Sequence, residues 1–213
     1  MFGAPLWRAV LSCVTVLDMR ILITTGIFPP EPGGPATYAP ELATRLVQAG
    51  HTVTVVTYSD KNAAASDTTY AFKIIRVIRR NPYLNRVLFF LALIDCIKDF
   101  DVIYTLDWFA VGLPVSIAAS LYRKPYVVRV GGDYLWEQMY LPSGAPPVTL
   151  LEFYEKGLHR NFNFSLALSL TKSILQGAAF VIFNSETQRT LYETYYGLSS
   201  ARTTTIFNPV PNI

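Results

Sequence analysis

Apolar and polar positions alternate in blocks along this chain, most clearly between Arg20 and Tyr58. A short apolar, β-branched run, Ile21-Leu22-Ile23-Thr24-Thr25, ends at Gly26. The loop Phe28-Pro29-Pro30-Glu31-Pro32-Gly33-Gly34-Pro35 follows, then a helical stretch over residues 36–49 that stops at Gly50-His51. A second run, Val53-Thr54-Val55-Val56-Thr57-Tyr58, completes the block. Two β-branched runs joined by one helix predict a right-handed βαβ unit with parallel strands.

The alternation continues to the end of the chain. Residues 59–70 are small and polar and read as a loop. Residues 72–78 predict a third strand, with Arg76, Arg79 and Arg80 clustered at its end and Asn81-Pro82 turning the chain. Residues 83–98 predict a very apolar helix, and residues 101–107 a fourth strand ending in Asp107. Residues 109–121 predict a helix that tolerates Pro114 in its first turns. Residues 125–130 predict a fifth strand running into Gly131-Gly132-Asp133. Residues 141–147 form a Pro/Gly loop, and residues 149–177 are mostly helical, with Asn161 and Asn163 marking a break. Residues 180–184 predict a sixth strand. Ser185-Glu186-Thr187-Gln188 has the capping-box pattern and opens a helix that stops at Gly197. Residues 203–207 predict a seventh strand, followed by Asn208-Pro209. The expected fold class is α/β: a Rossmann-like parallel sheet of about seven strands with helices on both faces. The chain shows no internal repeat and no low-complexity segment.

Composition narrows the classes further. With 213 residues, 51% of them apolar and 15% charged, the chain can build one well-packed domain and is not of disordered type. A net charge of +3 is too small to imply nucleic-acid binding. Cys13 and Cys96 lie far apart without metal-ligand spacing, so both are expected reduced and buried or incidental, consistent with a cytoplasmic protein. No cluster of His, Cys and carboxylates predicts a metal site. Residues 9–17 are apolar but lack the basic start and small-residue cleavage site of a signal peptide. Residues 1–18 are therefore expected to be an extension upstream of a true start at Met19, with the folded domain over residues 19–209.

The loop after the first strand carries the first candidate chemistry. Gly33-Gly34 stands where the strand has ended and the helix begins. Glycine lets backbone lie close to a ligand, and the helix start adds free N–H groups suited to a phosphate or another anion. The plain alternative is a tight connection with no ligand.

Gly33-Gly34, Leu42-Ala43, Leu46 and Ala49-Gly50-His51-Thr52-Val53-Thr54-Val55 together resemble the opening of the family 4 glycosyltransferases. The resemblance implies a GT-B fold, two Rossmann-like domains facing each other across a cleft, with the glycine loop approaching a donor diphosphate or the acceptor. Thr205-Ile206-Phe207-Asn208-Pro209-Val210 resembles the hinge between those domains, so residues 210–213 are expected to begin it. The family's second domain, with its pair of donor-sugar glutamates, has no counterpart in the 213 residues. The resemblance thus implies the acceptor-side half of an enzyme that transfers a sugar from a nucleotide-sugar donor to a hydroxyl. It implies no metal and no tightly bound cofactor; family members usually retain the anomeric configuration.

Ligands in open α/β sheets sit outside the carboxyl ends of the strands. That rule selects Gly33, Gly34, Asp107, Gly131, Gly132 and Asp133. Asp133 is the candidate catalytic carboxylate: two preceding glycines leave room for a sugar, and it could orient or deprotonate an acceptor hydroxyl. The alternative is that Asp133 caps a turn. Many family members carry a histidine near this point; here His51 lies in a helix–strand turn and His159 in a later helix. Asp107 is either a ligand contact or a helix N-cap. Tyr134 and Trp136 are candidates to stack on a sugar or to close the core. Arg129, inside a strand, is expected either to pair with a carboxylate or to contact a phosphate. Glu186 matches a strand-end Ser-Glu of the family but also starts a helix.

The apolar run over residues 87–94 is ended by Asp95, short of the ~20 residues a membrane span needs. It reads as a helix packed on the sheet, or as a peripheral contact at the inner face of a membrane through Arg79, Arg80, Arg86, Phe89 and Phe90. That contact would suit a lipid-linked sugar acceptor. Two other functions fit part of the pattern. One is a non-catalytic, membrane-docked partner of a separate donor subunit. The other is a dinucleotide-binding oxidoreductase, which the spacing of Gly26 and Gly33-Gly34 does not match.

Overall fold

A computed structural model describes residues 18–60 and 65–208. The expected extension over residues 1–17, Cys13, and the hinge residues from Pro209 onward lie outside the described residues. Seven strands form one sheet: β1 (Arg20–Thr25), β2 (Thr52–Ser59), β3 (Lys73–Ile78), β4 (Val102–Thr105), β5 (Tyr126–Val130), β6 (Phe180–Phe183) and β7 (Thr203–Thr205). Their order is β3-β2-β1-β4-β5-β6-β7, and every neighbouring pair is parallel. The α-helices are α1 (Gly34–Gln48), α2 (Pro82–Ile94), α3 (Trp108–Tyr122), α4 (Leu150–Glu155), α5 (Ser165–Gly177) and α6 (Glu186–Tyr196).

Strand order and handedness decide which helix covers which face. The chain steps to one side of β1 to reach β2, and to the other side to reach β4 through β7. Right-handed crossovers then place α1 on one face and the later helices on the opposite face. The side chains alternate accordingly. Ile21 and Ile23 join Val53, Val55, Ala39 and Ala43 in a smaller core under α1. Leu22 and Val56 point the other way, into a larger core with Ile103, Val128, Phe89 and Val115. Phe89 is fully buried, with its ring 4.8 Å from that of Tyr58. It therefore cannot supply the membrane contact expected of it, and Arg79 is committed to the β1 loop described below. Cys96 is free and half-buried, as expected of an incidental thiol.

Helix starts follow the sequence closely. Asn81, Asp107 and Ser185 each accept a hydrogen bond from the backbone N–H three residues on. The capping box expected at Ser185 is only half made, because the Gln188 carbonyl oxygen has no partner. A complete box forms instead between Thr149 and Glu152, at the start of α4. The break expected at Asn161 and Asn163 is longer than anticipated, since two short 3-10 turns separate α4 from α5.

One buried carboxylate ties that irregular segment to the sheet. Asp133 follows β5 and is 1% exposed. It accepts hydrogen bonds from the hydroxyls of Tyr154 on α4 (2.7 Å) and Tyr192 on α6 (2.9 Å), and from the Trp136 N–H (2.9 Å). The Tyr154 and Tyr196 hydroxyls lie 2.5 Å apart, and the Tyr192 and Tyr196 rings stack. Burial pushes the Asp133 carboxyl above its ordinary value of 3.8, against hydrogen bonds that favour the charged form.

Two predictions follow from this cluster. Asp133→Ala strands the tyrosine hydroxyls and should cost about 1–3 kcal/mol for each one left without an acceptor. Asp133→Asn, which keeps one acceptor oxygen, should cost less; equal losses on urea denaturation would contradict the arrangement. A raised carboxyl pKa means that the folded chain holds its proton more tightly than the unfolded chain. That contribution is fully present below the ordinary value of 3.8 and is lost as pH rises through the folded value. The stability margin of the wild type over Asp133→Asn should therefore be widest in acid and narrow as pH rises; a margin that widens would contradict it.

Candidate functional site

The strand order reverses between β1 and β4, so their carboxyl ends bound the crevice where open α/β sheets take ligands. Three loops meet the crevice end: 26–33 after β1, Leu106 and Asp107 after β4, and 131–134 after β5. The first is held from below by β3. Arg79 donates to the Gly26 carbonyl (2.9 Å) and pairs with Glu31 (2.7 Å) and Asp60 (3.3 Å). Arg76 donates to the Pro29 carbonyl (2.6 Å) and pairs with Asp67 (2.6 Å). Arg76 of β3 and Arg79 just after it thus hold the loop that follows β1.

Gly33 takes φ +146°, a conformation glycine alone adopts without strain, and serves as the N-cap of α1. It offers no side-chain cap, and the first turn holds no acidic residue. Gly33 and Gly34 are both exposed, so the start of α1 presents backbone N–H groups and the positive end of its dipole at the crevice. Gly26 was not among the expected site residues, yet it lies closest to the switch point. A Cβ there would collide with the Asp107 carboxylate and with Ala110. The only sequence signal for this is a glycine at the end of the first apolar run.

Asp107 is half-buried and caps α3, accepting from the Ala110 N–H at 3.3 Å. Burial pushes its carboxyl up. Gly131 is exposed, and its carbonyl accepts from the Asn184 side chain at 2.9 Å. Gly132 lies against the Glu137 carboxylate, which also accepts from the Asp133 N–H at 3.0 Å. Asp133 itself points away from the crevice into the tyrosine cluster. A carboxylate so buried, with its oxygens engaged by three donors, is not within reach of a substrate hydroxyl. The catalytic reading of Asp133 gives way to a positioning one.

Arg129 also differs from expectation. It is 4% exposed and has no carboxylate partner among the described residues. Its Nη2 donates to the Ile206 carbonyl (3.0 Å) and the Asn208 side chain (2.8 Å), and the guanidinium lies 4.6 Å from the Tyr38 ring centroid. Its Nη1 has no hydrogen-bond partner. The side chain therefore fastens the segment leaving β7 to the sheet. Tyr134 stacks on Phe109, and the Trp136 indole donates to the Val148 carbonyl at 3.0 Å, so both rings close the packing around the β5 loop. Glu186 is exposed and pairs with Arg189 at 3.5 Å. His51 accepts from the Met19 N–H, and His159 is buried among Tyr154 and Tyr195. A concavity of about 400 Å³ opens elsewhere, between α5 and α6, lined by Arg160, Lys172 and Gln176. Its position on the helix layer separates it from the strand ends.

Comparison with known proteins fits this arrangement. Anabaena HepE, solved with UDP, is 18% identical over 90% of this chain and 44% of its own, with a TM-score of 0.60. The lipopolysaccharide outer core galactosyltransferase WaaB is 11% identical over 90% of this chain and 46% of its own, with a TM-score of 0.59. An alpha-glucosyltransferase solved with UDP and DNA is 15% identical over 91% and 43%, with a TM-score of 0.53. The chain spans less than half the length of each, and at these identities the likeness establishes the GT-B type of fold. A search of curated proteins gave no match. The family model for Glycosyltransferase Family 4 matches residues 32–212. That match takes in the start of α1, the β4 and β5 loops and every strand after β1, and the chain belongs to Glycosyltransferase Family 4.

Proposed function

We propose that this chain is the acceptor-side domain of a glycosyltransferase. The whole enzyme transfers a sugar from a nucleotide-sugar donor to an acceptor hydroxyl, in the synthesis of a glycan, polysaccharide or glycolipid. The observation that supports this reading most is the bare start of α1 at the switch point, with exposed Gly33-Gly34 N-terminal to an uncapped first turn. HepE and the alpha-glucosyltransferase were solved with UDP, which makes a nucleoside diphosphate sugar the donor class to test.

In this reading a new bond forms between the acceptor oxygen and the anomeric carbon. The bond from that carbon to the diphosphate breaks, and the hydroxyl proton is released. The chain's own residues bind and orient. The start of α1 faces an anionic group, Gly131 leaves room for a sugar ring, and Asp107 holds the β4 loop against Gly26. Asp133 sets the β5 loop from beneath. Most of the donor is held by the part of such an enzyme that these residues do not include, with its diphosphate facing the start of α1, so the purified chain alone should turn over no nucleotide sugar. Transfer from UDP-glucose by the isolated chain would overturn the acceptor-side assignment.

The glycines allow a sharper test, with the chain joined to a family donor domain. A Cβ at Gly34 or Gly131 meets no atom within 4 Å. Gly34→Val and Gly131→Val should therefore leave stability within about 1 kcal/mol of wild type, as surface changes do, while reducing transfer at least tenfold. Gly26→Ala should instead destabilise by about 1–3 kcal/mol, because the added methyl forces Asp107 aside. Unchanged transfer in both valine variants would contradict a ligand at this crevice.

A further inference from the structure

The helix layer over the larger core has an outward face that no described part of the chain covers. α3 contains no charged residue. Its inward side chains Val111, Val115 and Ala118 are buried, yet Ile117 is 50% exposed and Leu121 65%. Leu84, Val87 and Leu91 on α2 and Leu166 and Leu170 on α5 are exposed as well. The three helices lie side by side. Arg86 of α2 sits 5.8 Å from the Phe109 ring of α3, and Ile174 of α5 packs against Gly112 of α3. Their exposed apolar side chains thus belong to one surface. A surface helix ordinarily turns charged residues outward. Here Arg86 and Lys172 are the charged residues of all three helices, and none of the three carries a carboxylate.

We propose that this three-helix face docks on the surface of a lipid bilayer. The apolar side chains enter the headgroup boundary, and Arg86, with exposed Arg80 just before α2, meets anionic headgroups. Charge favours this occupant, because a face with basic residues and no acid suits an anionic surface. Two exposed rings orient the face: Tyr83 (85% exposed) near the start of α2 and Phe162 (88%) just before α5. Helix starts lie at the carboxyl ends of the strands in parallel α/β units, so these rings lie toward the same end of the sheet as the crevice. The Tyr83 ring, with its hydroxyl, favours the headgroup level, and the wholly apolar Phe162 ring enters the boundary below it. The inference rests on this surface alone and not on sugar transfer. No helix among the described residues is long and apolar enough to cross a membrane, so the contact is interfacial.

The test is co-sedimentation of the full chain with vesicles of phosphatidylcholine, with and without phosphatidylglycerol. Binding is expected to both, at least threefold tighter to the anionic vesicles. Val87→Ser with Ile117→Ser removes apolar contact at two exposed sites without adding charge, and should weaken binding at least tenfold at unchanged melting temperature. Should that pair fail to fold, Leu121→Ser should weaken binding at least threefold. Absence of binding to either vesicle would overturn the proposal, as would full binding by the folded serine variants. A lipid-free dimer that the serine variants dissolve would assign the face to a second copy instead.

Discussion

The second half of this domain depends on one buried carboxylate. Between β5 and β6 the chain runs through a π-helical turn, two short helical pieces and a pair of 3-10 turns before α5 begins. Such a segment makes few of the repeating hydrogen bonds that hold a long helix. Asp133 compensates by collecting Tyr154 from α4, Tyr192 from α6 and the Trp136 N–H onto one side chain just past β5. The tyrosine rings then fill the space beneath with stacked and tilted contacts. A buried carboxyl group with three donors is satisfied; the loss of any one donor is costly, so the members of the cluster support one another.

On the opposite face of the sheet Arg129 plays a matching part with the opposite sign. It holds Ile206 and Asn208, the segment that leaves β7, and lies against Tyr38 of α1. Arg76 of β3 and Arg79 just after it complete the frame by gripping the β1 loop at Gly26, Pro29 and Glu31. The crevice loops of this domain are thus fixed by charged side chains directed inward, while the groups left exposed at the strand ends include the backbone of Gly33, Gly34 and Gly131.

The strands were legible because β-branched runs such as 53–57 are long and bounded by glycine or proline. Helix starts at Asn81, Asp107 and Ser185 were legible because caps act locally. What escaped the sequence depends on contacts made at a distance. Asp133 reads as an exposed strand-end acid until Tyr154 and Tyr192, more than twenty and nearly sixty residues later, are brought over it. Gly26 gains meaning only when Asp107 arrives from β4. Phe89 and Val87 look alike in an apolar run, and the helix phase alone sends one to the core and the other to solvent. Arg79 reads as a surface charge because its partners lie in the loops after β1 and β2.

The central claim is that ligand binds at the strand ends, on the loops that these inward charges hold. Hydrogen exchange on the chain joined to a family donor domain, with and without UDP-glucose, tests it most directly. The account predicts slowed exchange at the backbone of residues 26–37 and 131–134, with the helix layer unchanged. Protection confined to the concavity between α5 and α6, or none at the β1 and β5 loops, would contradict it.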